Sequence, residues 1–69
     1  MKITLKAARV NANLSREQAA FAIGVRKETI ANWETGAYLP NVKYLPIIEG
    51  LYGIPYDELL FSKQITQIS

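Results

Sequence analysis

The 69-residue chain contains no cysteine and no histidine. Without cysteine there is no disulfide to staple a small secreted fold and no thiolate to bind a metal. Without histidine the commonest general base and the commonest metal ligand are both missing. The longest apolar run, residues 19–25, falls far short of the ~20 residues that a membrane span needs. Lys2, Lys6 and Arg9 interrupt the first residues, so no secretory leader is expected. No repeat, linker or low-complexity stretch is present. A chain of this size buries roughly 60% of its unfolded surface, which leaves little room for an enclosed substrate cavity. The composition is otherwise that of a globular protein, 49% hydrophobic and 20% charged, which argues against disorder. The expectation is one small domain in a reducing, cytoplasmic setting. It binds rather than catalyses, and it has no cofactor, no metal, no membrane and no small-molecule substrate.

Catalytic constellations are equally scarce. Ser15 is the best-placed hydroxyl, but it has no histidine to activate it. Asp57 and Glu58 are adjacent, so on a helix they point in different directions and read as N-terminal helix charge.

The net charge is only +2, yet it is unevenly placed. Residues 1–27 carry Lys2, Lys6, Arg9, Arg16, Arg26 and Lys27 against Glu17, a net charge of +5. Residues 28–69 carry Lys43 and Lys63 against Glu28, Glu34, Glu49, Asp57 and Glu58, a net charge of −3. A basic half of this kind either attracts phosphate or is simply a solvated face.

The helix boundaries can be read from capping residues. Thr4 caps a first helix that runs to about Ala12, and Asn13 tolerates the left-handed backbone that ends it. Ser15 caps a second helix, Arg16–Ile23, and Gln18 three residues on completes a capping box. Leu14 is positioned to staple onto Ala19, and Gly24 ends the helix. Ala19 and Ala20 are small enough for another helix to approach closely. A third helix begins near Lys27 and stops at Gly36. Its Ile30 and Trp33, with Val25 before it, fall on one side. Lys27, Glu28, Ala31, Asn32 and Thr35 fall on the other, as a polar face. A fourth helix is expected over residues 42–52, regular only from just before Pro46, and a short fifth over residues 56–60. The tail, residues 61–69, is compatible with a strand, an extended arm or a frayed end. Five helices and little or no sheet are expected.

Residues 15–36 thus read as helix, tight glycine turn, helix, the pattern whose second helix enters the DNA major groove. At this point the chain resembles the Cro/CI-type phage repressors and the wider xenobiotic-response-element (XRE) group, a lambda-repressor-like family. The resemblance is carried by Leu14-Ser15-Arg16-Glu17-Gln18-Ala19-Ala20, then Ile23-Gly24-Val25, then Thr29-Ile30-Ala31-Asn32-Trp33-Glu34-Thr35-Gly36. Pro40, Leu45 and residues 51–60 extend it, so it covers about residues 4–60. It implies an all-α, five-helix lambda-repressor-like domain over residues 1–61, with residues 62–69 as a candidate dimerisation arm. The chain departs from the family pattern at four places. The family often has Leu where Ala19 stands, often a longer apolar residue than Ala8, usually Gln at position 16, and Ser or Thr at position 26. Arg16 cannot contact adenine as Gln can but serves phosphate or guanine well. Arg26 cannot cap the third helix as a hydroxyl would.

The resemblance also implies roles for single residues. Lys27, Glu28 and Asn32 match the positions from which the family reaches bases. Their chemistry suits guanine, cytosine and adenine edges respectively. Glu28 either accepts from cytosine or merely orients Asn32. Arg16 and Thr29 suit phosphate contacts, and Arg26, Asn41 and Lys43 are second-rank candidates for the same role. Arg9 and Glu34 match a structural ion pair of the family. Trp33 is expected in the core, and Tyr38 is a weak interface candidate. Leu59, Leu60, Phe61, Ile65 and Ile68 supply apolar surface for a dimer. The implied function is a Cro-like repressor, of phage or prophage type, that binds a two-fold double-stranded DNA operator as a homodimer. The alternative is a protein-interaction module of the same fold, an antirepressor or antitoxin-type partner of another regulatory protein.

Overall fold

Hydrogen-bonding caps and left-handed residues delimit most of the helices. The structure, a computed structural model, describes residues 2–60. In chain order these form strand β1 (Ile3–Thr4) and helices α1 (Leu5–Asn11), α2 (Arg16–Ile23) and α3 (Lys27–Thr35). A 3-10 turn (Val42–Tyr44), helix α4 (Leu45–Tyr52), a second 3-10 turn (Tyr56–Glu58) and strand β2 (Leu59–Leu60) follow.

Thr4 Oγ1 accepts the Ala7 N–H at 3.1 Å and starts α1. Ser15 Oγ accepts the Gln18 N–H at 3.0 Å, while Gln18 Oε1 accepts the Ser15 N–H at 2.8 Å. The expected capping box is therefore present, and each such cap stabilises its helix by about 1 kcal/mol. Arg26 precedes α3 without a side-chain cap bond, as its chemistry dictates. Asn13 lies at φ 62°, the left-handed conformation expected after α1. Gly24 closes α2 at φ 92°, where any L side chain would be strained although space for a Cβ is open. The turn of the helix-turn-helix unit is thus a backbone requirement rather than a packing one.

One expectation holds in detail and one needs correction. Regular helix in the segment 42–52 begins just before Pro46, as expected. Residues 42–44 make a 3-10 turn, and α4 begins at Leu45, which places Pro46 in its first turn where no N–H is needed. The fifth helix is absent from the described residues. Tyr56–Glu58 make a single 3-10 turn, and Leu59–Leu60 pair in parallel with β1, Ile3 opposite Leu59 and Thr4 opposite Leu60. Five residues are too few to repay helix nucleation. The extended backbone gains ladder hydrogen bonds instead and drives Leu59 into the core, 4% exposed. Glu49 Oε2 accepts the Tyr56 N–H at 2.7 Å, and Lys2 Nζ donates to the Asp57 carbonyl, so both ends of the described chain are tied together. The architecture is four α-helices with a minimal parallel ladder.

Helix α2 packs most extensively on α3. Ala19 and Ala20 are both buried there, and their small side chains permit the close approach. Ile30 of α3 and Ile48 of α4 are fully buried at the centre. Leu5, Ile23, Trp33, Tyr52 and Leu59 complete the core around them. Trp33 packs its ring 5.5 Å from that of Tyr44, tilted by 50°. Its place in the core agrees with the expectation from α3 periodicity.

Gly50 lies inside α4, is exposed, and a Cβ built on it meets nothing within 4 Å. Gly50→Ala should therefore stabilise the domain by about 0.5–1 kcal/mol, through lower unfolded-state entropy and better helix propensity. Urea denaturation followed by Trp33 fluorescence should show a higher midpoint with an unchanged slope.

Candidate nucleic-acid interface

Helix α3 presents two faces of opposite character. Ile30 and Trp33 are buried, whereas Lys27, Glu28 and Thr35 are exposed and Thr29, Ala31 and Asn32 are half-buried. The residues expected to reach bases, Lys27, Glu28 and Asn32, thus share the outer face. Among the described residues no hydrogen bond joins Glu28 to Asn32, four positions on along the same face. The Asn32 backbone carbonyl accepts from Thr35 Oγ1 at 3.3 Å and from the Tyr38 N–H at 3.4 Å. Those bonds anchor the end of α3 through the Asn32 main chain, not its side-chain amide.

The orientation of this face is set from below. Arg9 Nε donates to Glu34 Oε2 at 2.6 Å, and Arg9 Nη2 to Glu34 Oε1 at 3.4 Å. Both side chains are almost fully buried, at 9% and 3% exposure. Arg9 Nη1 also donates to the Leu14 carbonyl at 2.8 Å. One guanidinium therefore joins α1, the α1–α2 connection and α3. The hydrogen bond to Glu34 raises the Arg9 pKa further above its ordinary value; burial opposes this and the Glu34 charge reinforces it. Burial pushes the nearby Tyr52 phenol up to about 12; the Glu34 charge adds to the rise and Arg9 offsets part of it.

Arg16 enters the same group, which the sequence did not suggest. Its Nε donates to Glu34 Oε1 at 3.3 Å, with the Arg16 side chain still 44% exposed. Lys27 Nζ lies 3.5 Å from Glu17 Oε2, an exposed pair of the kind that contributes ~0–1 kcal/mol. Lys6, Arg9, Ser15, Arg16, Glu17 and Lys27 line one shallow depression. Two of the anticipated phosphate or base contacts, Arg16 and Lys27, are thereby brought together. Lys6 was missed; its position three residues before Arg9 on α1 was the available signal.

The second-rank candidates sit apart from that depression. Asn41 Oδ1 accepts the Lys43 N–H at 3.1 Å and caps the 3-10 turn. Lys43 Nζ lies 5.2 Å from the Tyr44 ring centroid. Arg26 is exposed at the start of α3. Of the residues expected at a dimer interface, Leu59 is corrected to a core residue, because its pairing with β1 turns the side chain inward. Leu60 is half-buried. Phe61, Ile65 and Ile68 lie outside the described residues.

Comparison with known proteins agrees with this geometry. A family model described as helix-turn-helix matches residues 5–59. The chain belongs to the XRE-type helix-turn-helix family. It is also 31% identical over 65 residues to the HTH-type transcriptional activator BcrR of Enterococcus faecalis. That alignment covers 94% of this chain and 32% of the relative, so the chain spans about a third of the relative's length. No solved structure gives a significant match. Among the described residues, no helix is long and apolar enough to cross a membrane.

Removing Arg9 strands the Glu34 carboxylate in the protein interior. Arg9→Ala should cost about 3 kcal/mol, the low end for a broken buried pair, because Arg16 still holds one oxygen. A double-mutant cycle with Glu34→Ala in chemical denaturation should show coupling well above the ~0.2–1 kcal/mol of an exposed pair.

Tyr52 makes a second test. The folded chain holds its proton more tightly than the unfolded chain. The stability this contributes is complete below about pH 10 and is lost as pH rises through about 12. Phenolate absorbance should show one late step that Tyr52→Phe removes.

Proposed function

We propose that the chain is a sequence-specific double-stranded DNA-binding regulator of transcription that lays α3 in the major groove. The observation that carries this reading is the polar outer face of α3, backed by a buried ion pair and flanked by a basic depression. In this reading Lys27 and Asn32 reach base edges, Glu28 accepts from cytosine, and Arg16 and Thr29 meet the backbone. Arg26, Asn41 and Lys43 supply further phosphate contacts, and Lys6 joins them from α1. The family match and the regulator named as a relative support regulation of transcription.

The chain acts as a homodimer on a two-fold operator, with half-site centres about one DNA turn apart, roughly 34 Å. Leu60 is the described residue that would join the dimer contact; Phe61, Ile65 and Ile68, expected there too, lie outside the described residues. Bound over promoter DNA, such a dimer represses by occupancy. The relative is named a transcriptional activator. The exposed Glu28 on the reading face favours one rival reading, a protein-interaction module, because a carboxylate near phosphate is repelled.

Salt titrations of affinity for a selected and a scrambled duplex test the reading. Asn32→Ala should cost about 1–3 kcal/mol on the selected site and little on the scrambled one. Glu28→Ala should lose discrimination at one base position if Glu28 reads cytosine, and should tighten binding to all duplexes if it only repels. Binding weaker than ~100 µM to every duplex at low salt would favour the protein-interaction module. Deleting residues 62–69 should weaken self-association in sedimentation without unfolding the domain.

A further inference from the structure

Glu34 is shared by two arginines of different character. Arg9 already engages both carboxylate oxygens, at 2.6 and 3.4 Å, from a buried position. The carboxylate is neutralised and hydrogen-bonded without help from Arg16. Arg16 nevertheless brings its Nε to Glu34 Oε1 at 3.3 Å. Its side chain remains 44% exposed, and its terminal amino groups donate no hydrogen bond among the described residues. Those groups belong to a guanidinium lining the depression that Lys6 and Lys27 also line. Glu17, the acidic residue of that depression, pairs with Lys27.

We propose that Glu34 is a positioning residue for Arg16, holding its Nε so that the two terminal amino groups face a single DNA backbone phosphate. The proposal rests on the duplex-binding reading above and adds a role for a residue on the inner side of the recognition helix. The planar guanidinium suits this division of labour: one edge is held from inside while the other stays free to grip two phosphate oxygens. An unanchored exposed arginine would have to lose rotamer freedom on binding. One already held loses less, so binding is tighter for the same contact. Arg9 is the fixed post of the arrangement, since it ties Glu34 to α1 and to the Leu14 carbonyl. Lysine in place of Arg16 keeps the charge but cannot be gripped at one edge while presenting another.

The test is a double-mutant cycle in duplex affinity with Arg16→Lys and Glu34→Gln, over a salt titration, with folding followed by Trp33 fluorescence. Arg16→Lys should bind roughly fivefold more weakly with an unchanged salt slope and an unchanged unfolding midpoint. Glu34→Gln should lose at least that factor, because it also weakens the Arg9 pair that orients α3. The double variant should bind no worse than the weaker single variant. Arg16→Ala should lower the salt slope by about one, the mark of one lost phosphate contact. Additive losses, a fully active Arg16→Lys variant or an unchanged slope in Arg16→Ala would each overturn the positioning role. A measurement on the unmodified chain guards against a Glu34→Gln variant that fails to fold. Nitrogen-15 relaxation of the Arg16 Nε–H should show it more ordered than that of Arg26, and equal disorder would overturn the proposal. If the wild-type chain binds no duplex at low salt, both this role and the underlying reading fall. If it binds but the cycle is additive, only the positioning role falls.

Discussion

The ion pair between Arg9 and Glu34 is the contact on which the functional surface depends. It joins side chains 25 positions apart in the chain and fixes α3 against α1. A buried pair contributes little net stability, because desolvation offsets most of the Coulombic gain. Its effect is on orientation. A carboxylate in the interior has few places where its charge is satisfied, so α3 is held at the rotation that delivers Glu34 to Arg9. That same rotation turns Ile30 and Trp33 inward and Lys27, Glu28 and Asn32 outward. The polar face is thus aimed by an interaction on the other side of the helix.

Apolar packing supplies the stability that the pair does not. Alanines at positions 19 and 20 let α2 and α3 approach closely, and Ile48 of α4 closes the far side of the core. The two ends of the domain meet, with Leu5 following β1 and Leu59 lying within β2. A small domain has few residues to spare for its core, and using both ends makes each contribution count. Glu49, away from the basic surface, serves the backbone by accepting the Tyr56 N–H.

The charge imbalance along the chain acquires a spatial meaning in this fold. Lys6 of α1, Arg16 at the start of α2 and Lys27 at the start of α3 line one depression. Arg9 of α1 lines it as well, so all three helices contribute cations to one place. The positive charge is therefore gathered at the surface beside the polar face of α3, where a polyanion lying along that face would meet it.

Local chemistry was sufficient for the sequence to determine the helix-turn-helix unit. The Ser15–Gln18 capping box, the left-handed Asn13, the Gly24 turn and the division of α3 into two faces are all set by residues a few positions apart. Each was legible without knowledge of the fold. The Arg9–Glu34 pair was also anticipated, but only through resemblance, since opposite charges far apart in sequence do not announce that they meet. Three features were decided by tertiary structure alone. Residues 56–60 become a turn and a strand because β1 lies within reach of their backbone and the core has room for Leu59. Arg16 meets Glu34, and Lys6 joins the basic depression, because the packing of α1 and α2 on α3 converges side chains that share no sequence pattern. Caps and turns are short-range and leave a local signature, whereas strand pairing and shared ions depend on which distant segments the core brings together.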